Sequence, residues 1–196
     1  MTWIIVGLGN PGEEYDGTRH NTGRMAVEQF AKDNGFETWK ENNASKATVA
    51  KGTVGTAPVT LVLPDTFMNK SGSAVLKYVK SLKGAEKLVV VYDDLDLAIG
   101  KMKMSFDRGS GGHKGIESII RGLKTKKFTR VRIGISPATA AGKLKKPQGE
   151  DEVGKFILGT FKPSEQVQLK DVFKKASQAI ATTIEEGYGI AMNRFN

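Results

Sequence analysis

Apolar residues gather along the chain in short runs separated by polar and glycine-rich stretches. The run at 2–6 is rich in Trp, Ile and Val and predicts a buried strand. Between 21 and 34, Met25, Val27, Phe30 and Ala31 recur near helical spacing, and Asn34-Gly35 supplies a stop. Two strands are predicted at 47–54 and 58–63, joined by Gly55-Thr56-Ala57. After a connector at 65–69, a helix is expected over 71–83, with Val75, Leu76 and Val79 inward and Lys77, Lys80 and Lys83 outward. The unbroken Leu88-Val89-Val90-Val91 predicts a strand over 87–92 that is buried on both faces and ends in Asp93-Asp94-Leu95-Asp96. Residues 100–106 alternate Lys with Met, as in a strand with one solvated face.

A glycine loop at 109–115 precedes a helix with Ile116, Ile119 and Ile120 inward. Another strand is expected at 130–136, then a polar loop at 137–150. The last long helix opens at 162–165, with Ser164 as its expected N-cap, and runs to about 187 before a short tail. No repeat or linker divides the sequence. The expected fold is a single α/β domain over 1–196, with a twisted, mixed, mostly parallel sheet and helices on both faces.

Composition narrows the function. The chain is 39% hydrophobic and 26% charged, ordinary for a soluble globular protein. No apolar run approaches the roughly 20 residues that span a bilayer, and the first residues have no basic stretch of a secretory signal. With no cysteine there is no disulfide framework, thiolate nucleophile or cysteine-zinc site, which accords with a reducing cytoplasm as the expected compartment. The net charge of +9 points to a polyanionic partner. Arg121, Lys124, Lys126, Lys127, Arg130 and Arg132 share one window free of Asp and Glu, and Lys143, Lys145 and Lys146 follow in a loop. Such clusters resemble phosphate contacts; aromatic residues do not interleave with them, so stacking along a single strand is not indicated.

There are only two histidines, and His20 lies in Thr18-Arg19-His20-Asn21, just after the turn Gly7-Leu8-Gly9-Asn10-Pro11-Gly12. By its letters that turn matches the dinucleotide fingerprint. The fingerprint needs a helix to open at the glycines, however, and here Pro11 intervenes while Glu13, Glu14 and Asp16 would repel phosphate. A strand-end loop presenting Asn10 fits better. Asn10, His20, Asn69 and Asp93 all fall at strand ends or adjoining loops, where open α/β sheets bind ligands. A histidine with a carboxylate nearby can activate water, while amide donors steady an oxyanion. The run Asp93-Asp94-x-Asp96 reads otherwise as a solvated loop or a divalent-metal site, though a metal needs more convergent oxygens.

Several blocks closely resemble the bacterial peptidyl-tRNA hydrolase family. They are Val6-Gly7-Leu8-Gly9-Asn10-Pro11-Gly12-x-x-Tyr15, Thr18-Arg19-His20-Asn21, Thr66-Phe67-Met68-Asn69-x-Ser71-Gly72, Asp93-Asp94-Leu95-Asp96, Gly111-Gly112-His113-x-Gly115 and Arg130-Val131-Arg132-Ile133-Gly134-Ile135. They occur in the family's order and span nearly the full chain. The resemblance implies hydrolysis of the ester joining a peptide to the terminal ribose of tRNA, by a monomer needing no metal or cofactor. It implies His20 as general base, Asp93 as its orienter, and Asn10 and Asn69 as substrate holders. Tyr15, Phe67 and Met68 would line the cleft, with Asn21 in support and Arg132 clamping a tRNA phosphate.

Two positions depart from the family pattern. Lys114 stands where the family usually has Asn; its charge would disfavour imidazolium, and Lys114→Asn should move the pH profile toward an unperturbed histidine. Ser105 stands where a basic residue usually partners Arg132, and Lys103, on the same strand face, is placed to compensate. His113 is read as a structural residue of the glycine loop. A non-catalytic RNA-binding relative of the fold is the alternative; Lys114 favours it, and the intact Asn10, His20, Asn69 and Asp93 oppose it.

Overall fold

The computed structural model describes residues 1–36 and 38–196. Its strands are β1 (Trp3–Gly7), β2 (Lys40–Asn42), β3 (Ala47–Val54), β4 (Ala57–Pro64), β5 (Leu88–Ala98), β6 (Met102–Phe106) and β7 (Thr129–Ser136). The helices are α1 (Thr22–Asp33), α2 (Ser71–Val75), α3 (Leu82–Ala85), α4 (Lys114–Leu123), α5 (Glu150–Leu158), α6 (Pro163–Glu186) and α7 (Tyr188–Phe195). All seven strands form one sheet in the order β2-β3-β4-β1-β5-β7-β6. The central β4, β1, β5 and β7 run parallel. Antiparallel pairing is confined to β2–β3–β4 on one side and β6–β7 on the other. The expected mixed α/β architecture is therefore present.

Alternation along the central strands builds two cores. Trp3, Ile5, Val89 and Val91 pack with Val27 and Phe30 of α1 and Val172 and Ile180 of α6. Ile4, Val6, Leu88 and Val90 pack on the other face with Val75 of α2 and Ile116 and Ile119 of α4. Burying a side chain such as Phe30 contributes about 1.5–3 kcal/mol. Both faces of β1 and β5 are covered, which is why these strands carry no polar alternation.

Five features depart from the sequence reading. The helix expected over 71–83 is broken, because Ser81 is extended (φ −153°) and its hydroxyl accepts from the Gly84 N–H, capping the separate α3. The last long helix starts two residues earlier than expected: Lys162, not Ser164, is its N-cap, Pro163 occupies the first helical position, and the Lys162 N–H donates to Glu165 Oε2 at 2.7 Å. Helix α5 was not anticipated; its signal is Glu150, Asp151 and Glu152 in the first turn, where carboxylates favour the helix dipole. β2 is short and fully exposed, and the expected tail folds as α7 after the left-handed Gly187, so neither carried an apolar pattern strong enough to read.

Close backbone approach brings the strand ends together. A Cβ on Gly23 would sit 2.2 Å from the Val91 carbonyl oxygen, so only glycine lets the first turn of α1 touch β5 two residues before Asp93. That contact carries His20, just ahead of α1, next to Asp93. Likewise a Cβ on Gly115 would meet Met68 Sδ at 2.5 Å, so glycine lets the start of α4 close over the Met68 turn.

Candidate active site

The glycine turn after β1 opens no helix. Gly12 (φ 108°) leads into a single 3₁₀ turn, Glu13–Tyr15, so no helical N-terminus faces the turn as a dinucleotide site requires. The turn instead fixes Asn10. The Asn10 N–H donates to Asn21 Oδ1 at 2.8 Å, and Asn21 Nδ2 donates back to the Asn10 carbonyl at 3.0 Å. The Met68 N–H donates to Asn10 Oδ1 at 2.9 Å. Its side-chain oxygen is thus occupied, which leaves the amide N–H donors of Asn10 as its remaining hydrogen-bonding capacity. Asn21 is thereby a brace for Asn10, and Met68 serves through its backbone while its side chain is buried.

His20 and Asp93 are both buried, and His20 Nδ1 lies 3.0 Å from each carboxylate oxygen of Asp93. A second imidazole shares that carboxylate, with His113 Nε2 3.0 Å from Asp93 Oδ1. The network assigns the tautomers. His113 Nδ1 caps α4 by accepting the Ile116 N–H at 3.3 Å, so its proton sits on Nε2 and is donated to Asp93. His20 donates Nδ1–H to the same carboxylate, which leaves its Nε2 lone pair free to accept a proton. His113 was read as structural; it is a cap, and it is also the second donor to the carboxylate, a role visible only once β5 and α4 are brought together.

Burial alone would lower the His20 pKa. The charge and hydrogen bond of Asp93 outweigh it, Lys114 opposes slightly, and the net effect is a histidine above its ordinary value. Asp93 is itself driven the other way. Burial would raise it, but the two imidazoles beside it hold the carboxyl well below the usual carboxylate range.

Arg19 anchors this segment, a role the sequence did not signal. It lies between the Phe156 and Phe161 rings, 4.6 Å from each centroid, and donates to Glu165 Oε2 at 2.8 Å and to the Ile135 carbonyl at 3.3 Å. Tyr15 and Phe67 meet edge to face at 6.4 Å, and Phe67 and Asn69 are exposed on either side of Met68, whose N–H holds Asn10.

A cavity of about 810 Å³ runs from His20 and Asp93 past Tyr92 to Lys103 and Arg132. Lys103 and Arg132 are paired across β6 and β7, which places them side by side. Acidic neighbours hold three of the cations lining this cavity: Arg132 Nε donates to Asp94 at 2.6 Å, Lys146 to Asp96 at 2.6 Å and Lys114 to Glu150 at 3.2 Å. Asp94 and Asp96 are thus committed to cations, so the Asp93-Asp94-x-Asp96 run does not converge on a metal. His20, Asp93 and His113 offer one ligand atom each within 4.8 Å, but a metal there would displace both ring protons that bind the carboxylate. Arg130, counted with the basic cluster, is 1% exposed and gives its guanidinium to backbone carbonyls rather than to the surface.

The sequence model of the family described as Peptidyl-tRNA hydrolase matches residues 4–196. The peptidyl-tRNA hydrolase of Alkaliphilus oremlandii is 41% identical over 194 residues, covering 98% of each chain. That of Chloroflexus aggregans is 40% identical over 197 residues, covering 99% of this chain and 98% of the relative. The crystal structure of the peptidyl-tRNA hydrolase from Acinetobacter baumannii superposes with a TM-score of 0.87 at 32% identity, covering 100% of this chain and 94% of that one. On the family match and these relatives, the chain belongs to the peptidyl-tRNA hydrolase family.

Proposed function

We propose that this protein hydrolyses the ester between a peptide, or an N-blocked amino acid, and the terminal ribose of tRNA. The observation that carries the mechanism is the free Nε2 of a buried His20 whose Nδ1–H is held by Asp93. In this reading His20 Nε2 takes a proton from water, which attacks the ester carbonyl. Asp93 stabilises the resulting imidazolium, and the proton passes to the departing ribose oxygen. Asn10, with its oxygen engaged by Met68, donates to the substrate together with Asn69. Tyr15 and Phe67 form an apolar wall beside them. The working unit is one copy of residues 1–196, acting in the cytoplasm as a monomer. Release of free tRNA from N-blocked aminoacyl-tRNA by the purified protein tests the reading. Binding without release would instead identify a non-catalytic RNA-binding protein.

Lys103 and Arg132 lie side by side along the cavity and fit the tRNA phosphate backbone. Asp94 holds Arg132 Nε, and the Nη groups have no protein partner among the described residues. Replacing both cations by alanine should raise KM and reduce the log–log salt dependence of binding by about 1.4–1.8, the release of two counterions. At saturating substrate kcat should change little. An unchanged salt slope would remove these two residues from the RNA contact.

Lys114 is 65% exposed on its side chain and paired with Glu150, so its field at His20 is weak. Because Asp93 already holds His20 above the ordinary value, removing Lys114 moves the imidazole further up, not back toward an unperturbed histidine as the sequence alone implied. Lys114→Asn should therefore shift the acidic limb of the pH–rate profile slightly upward. It should alter kcat by less than about fivefold, the equivalent of the ~1 kcal/mol ceiling on exposed pairs. A downward shift would show that Lys114 acts through the substrate instead.

A further inference from the structure

Arg130 is among the most deeply buried large side chains of the fold, yet no carboxylate pairs with it among the described residues. A cation in that position needs neutral partners; its two Nη atoms find them, while Nε has none among the described residues. One arm donates to the Gly109 carbonyl at 2.6 Å and the other to the Arg108 carbonyl, while the guanidinium lies over the Phe128 ring, 4.7 Å from its centroid. Both carbonyls belong to the loop between β6 and α4. The loop turns through three left-handed residues, Asp107 (φ 51°), Gly111 (φ 60°) and Gly112 (φ 80°). It has little apolar side chain of its own to bury. Its far end is His113, whose ring packs edge-on against Tyr92 at 4.9 Å and reaches Asp93. Tyr92 and Arg130 project to the same sheet face, from paired strands.

We propose that Arg130 is a positioning residue for the catalytic carboxylate: it fastens the 107–113 loop to the sheet, so that His113 meets Asp93 and Asp93 in turn aims His20. The two-armed guanidinium suits this task because it holds two successive carbonyls at once, which a lysine cannot do. The inference rests on the assignment of Asp93 as the group that orients His20. Losing Arg130 would release His113 from Asp93. The carboxylate would then be less well oriented, but its full charge would fall on His20.

The test is Arg130→Met in the full chain, assayed for kcat, KM, pH–rate profile and amide hydrogen exchange across 108–113. The expected result is a kcat lower by up to about 10²-fold, the scale of a misplaced catalytic group, with KM unchanged and faster exchange confined to the loop. The acidic limb should move upward, as it should in His113→Ala, and the double variant should show no further shift. Arg130→Lys should fall between wild type and Arg130→Met on every measure, and it carries the same comparison if Arg130→Met does not fold. A raised KM with a weaker salt dependence and an unmoved acidic limb would make Arg130 a phosphate ligand and overturn the proposal. So would unchanged exchange in the loop. Should Asp93→Asn be impaired while Arg130→Met behaves as wild type, this inference fails and the assignment of Asp93 survives.

Discussion

Replacing His20 by alanine should lower kcat for release of tRNA by about 10²–10⁴-fold, the usual contribution of a positioned general base and equivalent to about 2.7–5.5 kcal/mol of barrier. The acidic limb of the pH–rate profile should disappear with it, because the group whose deprotonation it reports is gone. In the wild-type protein that limb should lie above the ordinary histidine range, since activity needs neutral His20 and Asp93 favours the charged form. KM should hardly change, because the cations proposed to bind tRNA, Lys103 and Arg132, line the far part of the cavity. The variant should fold. His20 is a small part of the buried surface, and Asp93 keeps the His113 N–H as a partner. Its loss costs about 1–3 kcal/mol at most, the range for a removed buried hydrogen-bond partner. Turnover retained within a few-fold, by a folded variant with an intact acidic limb, would assign the base to another group.

The same pair sets the pH dependence of stability, with opposite signs for its two members. The depressed Asp93 contributes stability above the ordinary carboxylate range, and this is lost as pH falls toward its folded value. The raised His20 contributes stability below the ordinary histidine value, and this is lost as pH rises through its folded value. The interaction is therefore strongest on the acid side of neutrality, where turnover is already falling because His20 is protonated. The enzyme works best where this pair stabilises it least.

What could be read from the sequence follows from what each element buries. The runs at β1 and the start of β5 are apolar because neighbours cover both faces, and strands of that kind announce themselves. β2, α5 and α7 were missed because they are exposed, charged at the start, or set off only by a glycine. In the site, His20, Asn10 and Asp93 were legible as polar groups at strand ends; the structure sets His20 against Asp93 and ties Asn10 to Asn21, the residue after His20, and to Met68. His113 was not, because its two bonds run to Ile116, three residues on, and to Asp93, twenty residues back on another element. The brace between Arg19 and Glu165 spans 146 positions and leaves no local pattern. Arg130 was misread for a related reason. Composition counts it with the surface cations, and only the strand register turns it beneath the glycine loop.

Asp93→Asn is the second change expected to have a large effect, and His113 decides its direction. An asparagine there has one acceptor and one donor face. His113 Nε2–H, fixed by the cap at Ile116, demands the acceptor at the Oδ1 position. The amide NH₂ then faces His20 Nδ1 and donates to it, which moves the His20 proton to Nε2, the nitrogen that should accept from water. The base is present but in the wrong tautomer, so kcat should fall by about 10²–10⁴-fold with KM unchanged, comparable to loss of the base itself. Burial is then unopposed by a carboxylate, so the residual activity should show an acidic limb below the ordinary histidine range. Combining Asp93→Asn with His113→Ala should recover part of the loss, because the amide is free to flip and accept from His20 Nδ1–H. Rate constants and pH profiles of the two single variants and the double variant measure this. Strictly additive losses would mean that His113 does not set the orientation at residue 93.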